Sequence, residues 1–156
     1  MKNNLILSNL QKVSKKNITK DYLEINAAED LKKQINIKTS SVEQTVVNLS
    51  GGNQQKVVLG KWLFTEPDVL ILDEPTRGID VGAKFEIYKI INELAEMGKS
   101  IIIISSELPE VLGTCDRIYC LSNGKITGEI SHQEANQEIL MEYMTEGYGG
   151  GEYGDN

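Results

Sequence analysis

An α/β fold with a parallel sheet is what this 156-residue chain predicts. Three short apolar runs rich in β-branched residues, Val69–Leu72, Ile101–Ile104 and Ile118–Leu121, are too brief for helices and read as buried strands. Between the first two, Ile87, Ile90, Ile91 and Leu94 recur at the spacing of an amphipathic helix, and a shorter helical segment separates the second from the third. Strand–helix–strand–helix–strand order implies parallel pairing with right-handed crossovers. A chain of this length builds one modest core, hardly two.

The elements follow in order. Residues 1 to about 20 carry Lys2, Lys12, Lys15, Lys16 and Lys20 and no acid, and Asp21–Ile37 has a short stripe at Ala28, Leu31 and Ile35. This opening region reads as helical, without a core of its own. Asn48-Leu49-Ser50-Gly51-Gly52 is a turn ending in an N-cap, and a helix follows with apolar positions at Val58, Leu59, Trp62 and Leu63, stopping before Pro67. After the first strand, the striped helix ends at Gly98. Glu107–Thr114 is a second short helix with Pro109 in its first turn, where the missing N–H costs little. Asn123-Gly124 turns the third run into a strand at Lys125–Ile130, its hairpin partner. Ser131 and Glu134 read as a capping box opening a helix over His132–Thr145, and the glycine-rich stretch after it reads as disordered.

Composition narrows the function classes. Hydrophobic residues at 40% and charged residues at 25% are ordinary for a globular chain. A formal charge of −7 repels a phosphate backbone, and no basic motif offsets it, so nucleic acid is excluded as a partner. No segment reaches the roughly 20 apolar residues of a membrane span, and the opening stretch is too polar for a secretion signal. Cys115 and Cys120 lack the C-x-x-C spacing and read as packing residues of a reducing compartment. His132 is the single histidine, which excludes a histidine-rich metal site.

Two constellations carry chemistry. In Leu49-Ser50-Gly51-Gly52-Asn53-Gln54-Gln55-Lys56, a serine and two glycines open a helix. Unpaired N–H groups, the positive end of the macrodipole and close backbone approach make such a site a phosphate seat; the plainer alternative is that Ser50 only caps and the glycines only turn. In Val69-Leu70-Ile71-Leu72-Asp73-Glu74, a strand ends in two carboxylates. Ligands of parallel sheets gather at the carboxyl ends of strands, and a metal-binding Asp followed by a water-polarising Glu suits phosphoanhydride hydrolysis, although an acidic pair before a proline is also an ordinary solvated strand end.

LSGGNQQK, then LILDEP, then RGID, then a strand ending in Ser-Ser-Glu resembles an ATP-binding cassette, the ABC type of P-loop NTPase, from signature through Walker B strand and D-loop to switch. DEPTRGIDVGAKFEIY and IISSELPEVLG narrow the resemblance to the second cassette of the tandem ATPases of ribose, galactose and xylose importers, closely over residues 36 to 145 and loosely before. The resemblance implies ATP and Mg²⁺ as cofactors. It implies that Ser50, Gly51 and Gly52, with Asn53 and Gln54 beside them, contact the γ-phosphate of ATP held by a facing cassette. Asp73 would hold Mg²⁺ through water, Glu74 would orient or deprotonate the attacking water, and Asp80 would couple two sites across a dimer interface. Ser106 would occupy the switch position. Residues 1–48 would belong to a helical subdomain, 49–131 to the ATPase core, 132–145 to a C-terminal helix and 146–156 to a tail. The implied partners are an upstream half with a first cassette, transmembrane permease subunits and, through them, an extracytoplasmic sugar-binding protein. The implied location is peripheral, on the cytoplasmic face of a bacterial plasma membrane.

Three departures qualify the match. Asn53 stands where most cassettes have glutamine, a change the sugar-importer group shares. Ser106 stands where a switch histidine generally sits, exchanging a ring of tunable charge for a short neutral hydroxyl, unless it simply caps the next helix. Last, no G-x-x-x-x-G-K-[ST] phosphate loop occurs in these 156 residues: Gly98-Lys99-Ser100 has Glu93 in place of the first glycine and leads from a helix into a strand. The expectation is therefore the downstream part of a sugar-importer ATPase. A non-catalytic module lending its signature to another cassette, or an inactive remnant, are the alternatives.

Overall fold

The computed structural model describes residues 1–16 and 18–145, so the tail expected at 146–156 lies outside the described residues. The chain divides into two compact units, the second opening at Ile103.

In the first unit, helix α1 (Lys2–Ile6) runs through a 3-10 stretch (Leu7–Val13) into the two-residue strands β1 (Ser14–Lys15) and β2 (Ile18–Thr19), which pair antiparallel. Helix α2 (Asp21–Gln34) follows, with Asp21 and Glu24 in its first turn and Lys32 and Lys33 in its last, each sign facing the favourable end of the helix dipole. Lys2 ties the opening down: its ammonium reaches Asp21 at 2.5 Å and Glu43 at 3.3 Å, and these carboxylates hold it protonated above the ordinary lysine range. The opening residues have no separate core and share one with later helices. Leu5, Ile6 and Val13 are buried in one cluster with Ala28, Leu31 and Ile35 of α2, Val57, Leu59 and Leu63 of α3 (Gly51–Leu63) and Ile90 and Leu94 of α4 (Val81–Glu96). Sequence periodicity within residues 1–20 is too short to reveal a face completed by distant helices.

Strand β3 (Val69–Asp73) and strand β4 (Ser100–Ile104) pair as a parallel β–α–β unit around α4, whose Ile87, Ile90, Ile91 and Leu94 are all buried as the stripe predicts. Gly98 ends that helix with φ +86°, a conformation glycine adopts without steric cost. The strands are not buried on both faces. Leu70 is in the core, but Ile71 is 65% exposed and Ile102 51%, with Val69 also exposed, because no further layer covers those side chains. In α3, Val58 and Trp62 likewise point outward while Val57, Leu59, Gly60 and Leu63 face the core.

The second unit carries α5 (Leu108–Thr114), with Pro109 in its first turn, and the antiparallel hairpin of β5 (Arg117–Ser122) and β6 (Lys125–Ser131). β5 therefore takes β6 as its partner rather than extending the β3–β4 sheet. Asn123 (φ +49°) and Gly124 (φ +74°) give the tight turn that makes this pairing local. Helix α6 (Gln137–Thr145) packs Leu140 against Ile118, Cys120 and Ile130. It begins later than the sequence predicts. Ser131 and Glu134 bond each other's side chains at 2.7 Å within a turn, and Asn136 instead caps the helix by accepting from the Ile139 N–H at 2.9 Å. Both cysteines are free; Cys120 is buried in this core and Cys115 half-buried, and burial pushes both thiols up.

Candidate functional site

The site in the first unit is built where two helix N-termini meet. Ser50 is the N-cap residue of α3, with extended backbone (φ −61°, ψ 155°), but its hydroxyl does not cap the helix. It accepts instead from the Asn53 side-chain amide at 2.8 Å, and Asn53 Oδ1 in turn accepts from the Lys38 backbone N–H at 2.7 Å. Accepting that bond leaves the Ser50 hydroxyl proton to be donated elsewhere. The Ser50 side chain thus makes no capping hydrogen bond at the helix end, and Ser50 and Gly51 are exposed. Gln54 braces the turn from behind, donating to the Leu49 carbonyl at 2.9 Å.

Beside α3 starts α4. Its N-cap Asp80 accepts from the Ala83 N–H at 3.0 Å, so one carboxylate oxygen closes the helix while the residue stays exposed. Gly51 faces Ile79, and Gly52 backs onto Ala83 so closely that a Cβ there would fall inside 3.0 Å of it. The glycines therefore serve packing as well as access. Asp73 is exposed at the carboxyl end of β3, and Glu74 follows with φ +46°, a left-handed conformation that costs a non-glycine residue of order 1 kcal/mol and concentrates at functional sites. Buried Pro75 and Thr76 anchor the loop behind it.

Ser106 belongs to the second unit and is exposed after β4. Beside it, Ser105 Oγ accepts from the Glu107 N–H at 3.0 Å and donates to the buried Glu110 carboxylate. Sequence reasoning gave no role to Ser105, Lys38, Ile79, Ala83 or Glu86, because the quoted segments that hold all but Lys38 do not say which residues these side chains meet. A serine two residues before a helix start was the available signal for the first; the others become visible only when distant segments are brought together.

Among the described residues no three His, Cys, Asp or Glu side chains gather as a metal cage. Mg²⁺ carried by a nucleotide takes one or two protein carboxylates and fills its octahedron with water and phosphate oxygens, and the exposed Asp73 at the end of β3 offers a carboxylate of the kind it would take. No helix among the described residues is long and apolar enough to cross a membrane.

Known proteins resemble this chain in family and fold. The family model described as ABC transporter matches residues 2–77. The L-arabinose transport ATP-binding protein AraG of Geobacillus stearothermophilus is 61% identical over 93% of this chain, which spans 28% of that protein. The xylose import ATP-binding protein XylG of Geobacillus kaustophilus is 56% identical over 94% of the chain and 29% of its own length. The ribose import ATP-binding protein RbsA of Bacillus cereus is 52% identical over 94% and 30%. The chain thus spans under a third of the length of these curated relatives. Among solved structures, the ATP-binding cassette MJ1267 of an ABC transporter superposes with a TM-score of 0.75 at 24% identity, over 91% of this chain and 61% of that one, which shows the fold. Motifs, fold and relatives converge on the ATP-binding cassettes of ABC transporters: residues 2–77 match that family model, and the chain is 52–61% identical over most of its length to ATP-binding proteins named for sugar transport or import.

Proposed function

We propose that this chain is the signature-bearing, Walker B-bearing part of the ATPase that drives a monosaccharide importer, and that Ser50, Gly51 and Gly52 close onto the γ-phosphate of ATP bound by a facing cassette. The observation that carries the reading is the start of α3, where the exposed Ser50, whose hydroxyl does not cap the helix, and the exposed Gly51 stand at the end whose first N–H groups have no partner within the helix. Asn53 and Gln54 support that seat, one from the side and one from behind, rather than reaching beyond it. ATP, when bound with Mg²⁺, supplies the phosphoanhydride whose cleavage powers transport. Toward the chain's own site, Asp73 would hold the Mg²⁺ through water and Glu74, set in its strained turn, would orient and deprotonate an attacking water. Asp80 would link the two sites, and Ser106 would take the switch position after β4. Pentose importers head the similar proteins by name, so a pentose is the favoured cargo.

The partners this requires are a phosphate-loop half, a facing first cassette, permease subunits in the membrane and a sugar-binding protein outside it. The phosphate loop provides most nucleotide contacts, so these 156 residues alone are expected to show no micromolar Mg-ATP affinity by calorimetry. The seat itself is tested in the assembled transporter by trapping ADP with vanadate and irradiating, which cuts the backbone lying against the vanadate. Cleavage of this chain at Ser50 is expected. Cleavage confined to other segments, under conditions where trapping succeeds, would remove Ser50 from the phosphate.

A further inference from the structure

Glu86 lies on α4, in the DEPTRGIDVGAKFEIY stretch, without a role assigned by the motif order, and its two carboxylate oxygens hold two different segments. Oε1 accepts from Lys38 Nζ at 2.7 Å and Oε2 from Lys56 Nζ at 2.7 Å. Lys56 sits on α3 with a side chain only 2% exposed, and its ammonium also donates to the Asn36 carbonyl at 2.8 Å. Lys38 lies in the segment leading to α3, and its backbone N–H is the donor that fixes Asn53, which fixes Ser50. One carboxylate thus joins α4, α3 and the 36–38 segment behind the phosphate seat.

We infer that Glu86 is a positioning residue for the signature: by clamping Lys38 and Lys56 together it sets the Asn53 amide against Ser50 and so aims the Ser50 hydroxyl and the α3 N–H groups at the γ-phosphate. The arrangement needs a carboxylate. A glutamine side chain puts an NH2 donor in place of one of the two oxygens, and that donor cannot accept from the lysine the oxygen held. The lowered carboxyl pKa, about 2, agrees with two cationic donors favouring the charged form.

This inference rests on the reading of Ser50–Gly52 as the phosphate seat, and the experiment separates the two. Mg-ATP dependence of the ATPase rate is measured in the assembled transporter for wild type, Glu86→Gln, Lys38→Met and, as a control on the seat, Gly51→Asp. Lys38→Met guards against misfolding, because the Lys38 side chain is 63% exposed and its loss leaves the core untouched. A loosened seat weakens closure on ATP, whereas a merely destabilised protein loses active molecules. Glu86→Gln and Lys38→Met are therefore expected to raise the KM for Mg-ATP about fivefold or more while kcat falls less than about twofold. A fall in kcat at unchanged KM makes Glu86 structural and overturns the inference. Unchanged kinetics in both, with Gly51→Asp inactive, overturns it while leaving the seat in place. Full activity in Gly51→Asp overturns the seat and the inference together.

Discussion

Gly52 of α3 and Ala83 of α4 are in such close apposition that no side chain fits between them: a Cβ on Gly52 would lie inside 3.0 Å of the Ala83 methyl. The two helix N-termini that frame the candidate site are therefore held at a fixed separation by the smallest residue available. Gly52→Ala is expected to destabilise the chain by about 1–3 kcal/mol, the usual range for overpacking. Urea unfolding of both forms measures it, and an unchanged midpoint would mean that α3 and α4 separate freely.

The exposed aliphatic side chains of the β-strands give a second expectation. Ile71 and Ile102 are more than half exposed in strands whose composition is that of a buried sheet. Uncovered strands of this kind associate with other chains. The purified chain should elute above monomer mass with a concentration-dependent profile, and Ile71→Lys with Ile102→Lys should shift it toward monomer. A sharp monomeric peak for wild type at high concentration would contradict this.

The pH dependence of the Glu86 clamp can be worked out by sign. Hydrogen bonds from Lys38 and then Lys56 lower its carboxyl from the ordinary 4.5 to about 2. A folded value below the unfolded one contributes stability that is fully present above pH 4.5 and is lost as pH falls through about 2. Glu86 is partly exposed, so solvent screens the pair and added salt should shrink the effect. The stability gap between wild type and Glu86→Gln is expected to be constant from pH 7 to 5 and to narrow steadily below. A gap unchanged down to pH 3 would show that charge contributes nothing there.

Much of this was legible in the chain itself, for identifiable reasons. The α4 stripe, the three strand positions and the Asn123-Gly124 turn follow local periodicity and backbone preference, which need no partner to be read. Whether a strand is covered does not: Ile71 looks the same in sequence whether a layer lies on it or not. Nor does a hydrogen bond that crosses the chain: the N-cap position of Ser50 was legible, but not that Asn53 holds its oxygen, nor that Lys38 and Lys56 meet Glu86. The left-handed backbone at Glu74 was also hidden, since only coordinates reveal it.

The last expectation concerns the inequality of two nucleotide sites in the assembled transporter. Gly51 tolerates a side chain sterically, because a Cβ there meets only Ile79 Cγ2, at an ordinary 3.5 Å. Gly51→Asp therefore reports charge rather than a clash. A carboxylate about 4 Å from a phosphate oxygen is repelled by roughly 4 kcal/mol at an effective dielectric near 20. That is enough to abolish transport through the site on the facing cassette. Glu74→Gln keeps the left-handed turn's demands unchanged, since neither residue is glycine, and removes only the carboxylate. The switch position that the proposed function gives to Ser106 holds a neutral hydroxyl that cannot titrate as a histidine would. On that reading, Glu74→Gln should cost no more than about tenfold, or ~1.4 kcal/mol of barrier. Sugar-stimulated ATPase rates of the two variants in reconstituted membranes decide the matter. Near-complete loss in Gly51→Asp with a modest loss in Glu74→Gln is expected, and equal loss in both would make the chain's own site a full catalytic partner.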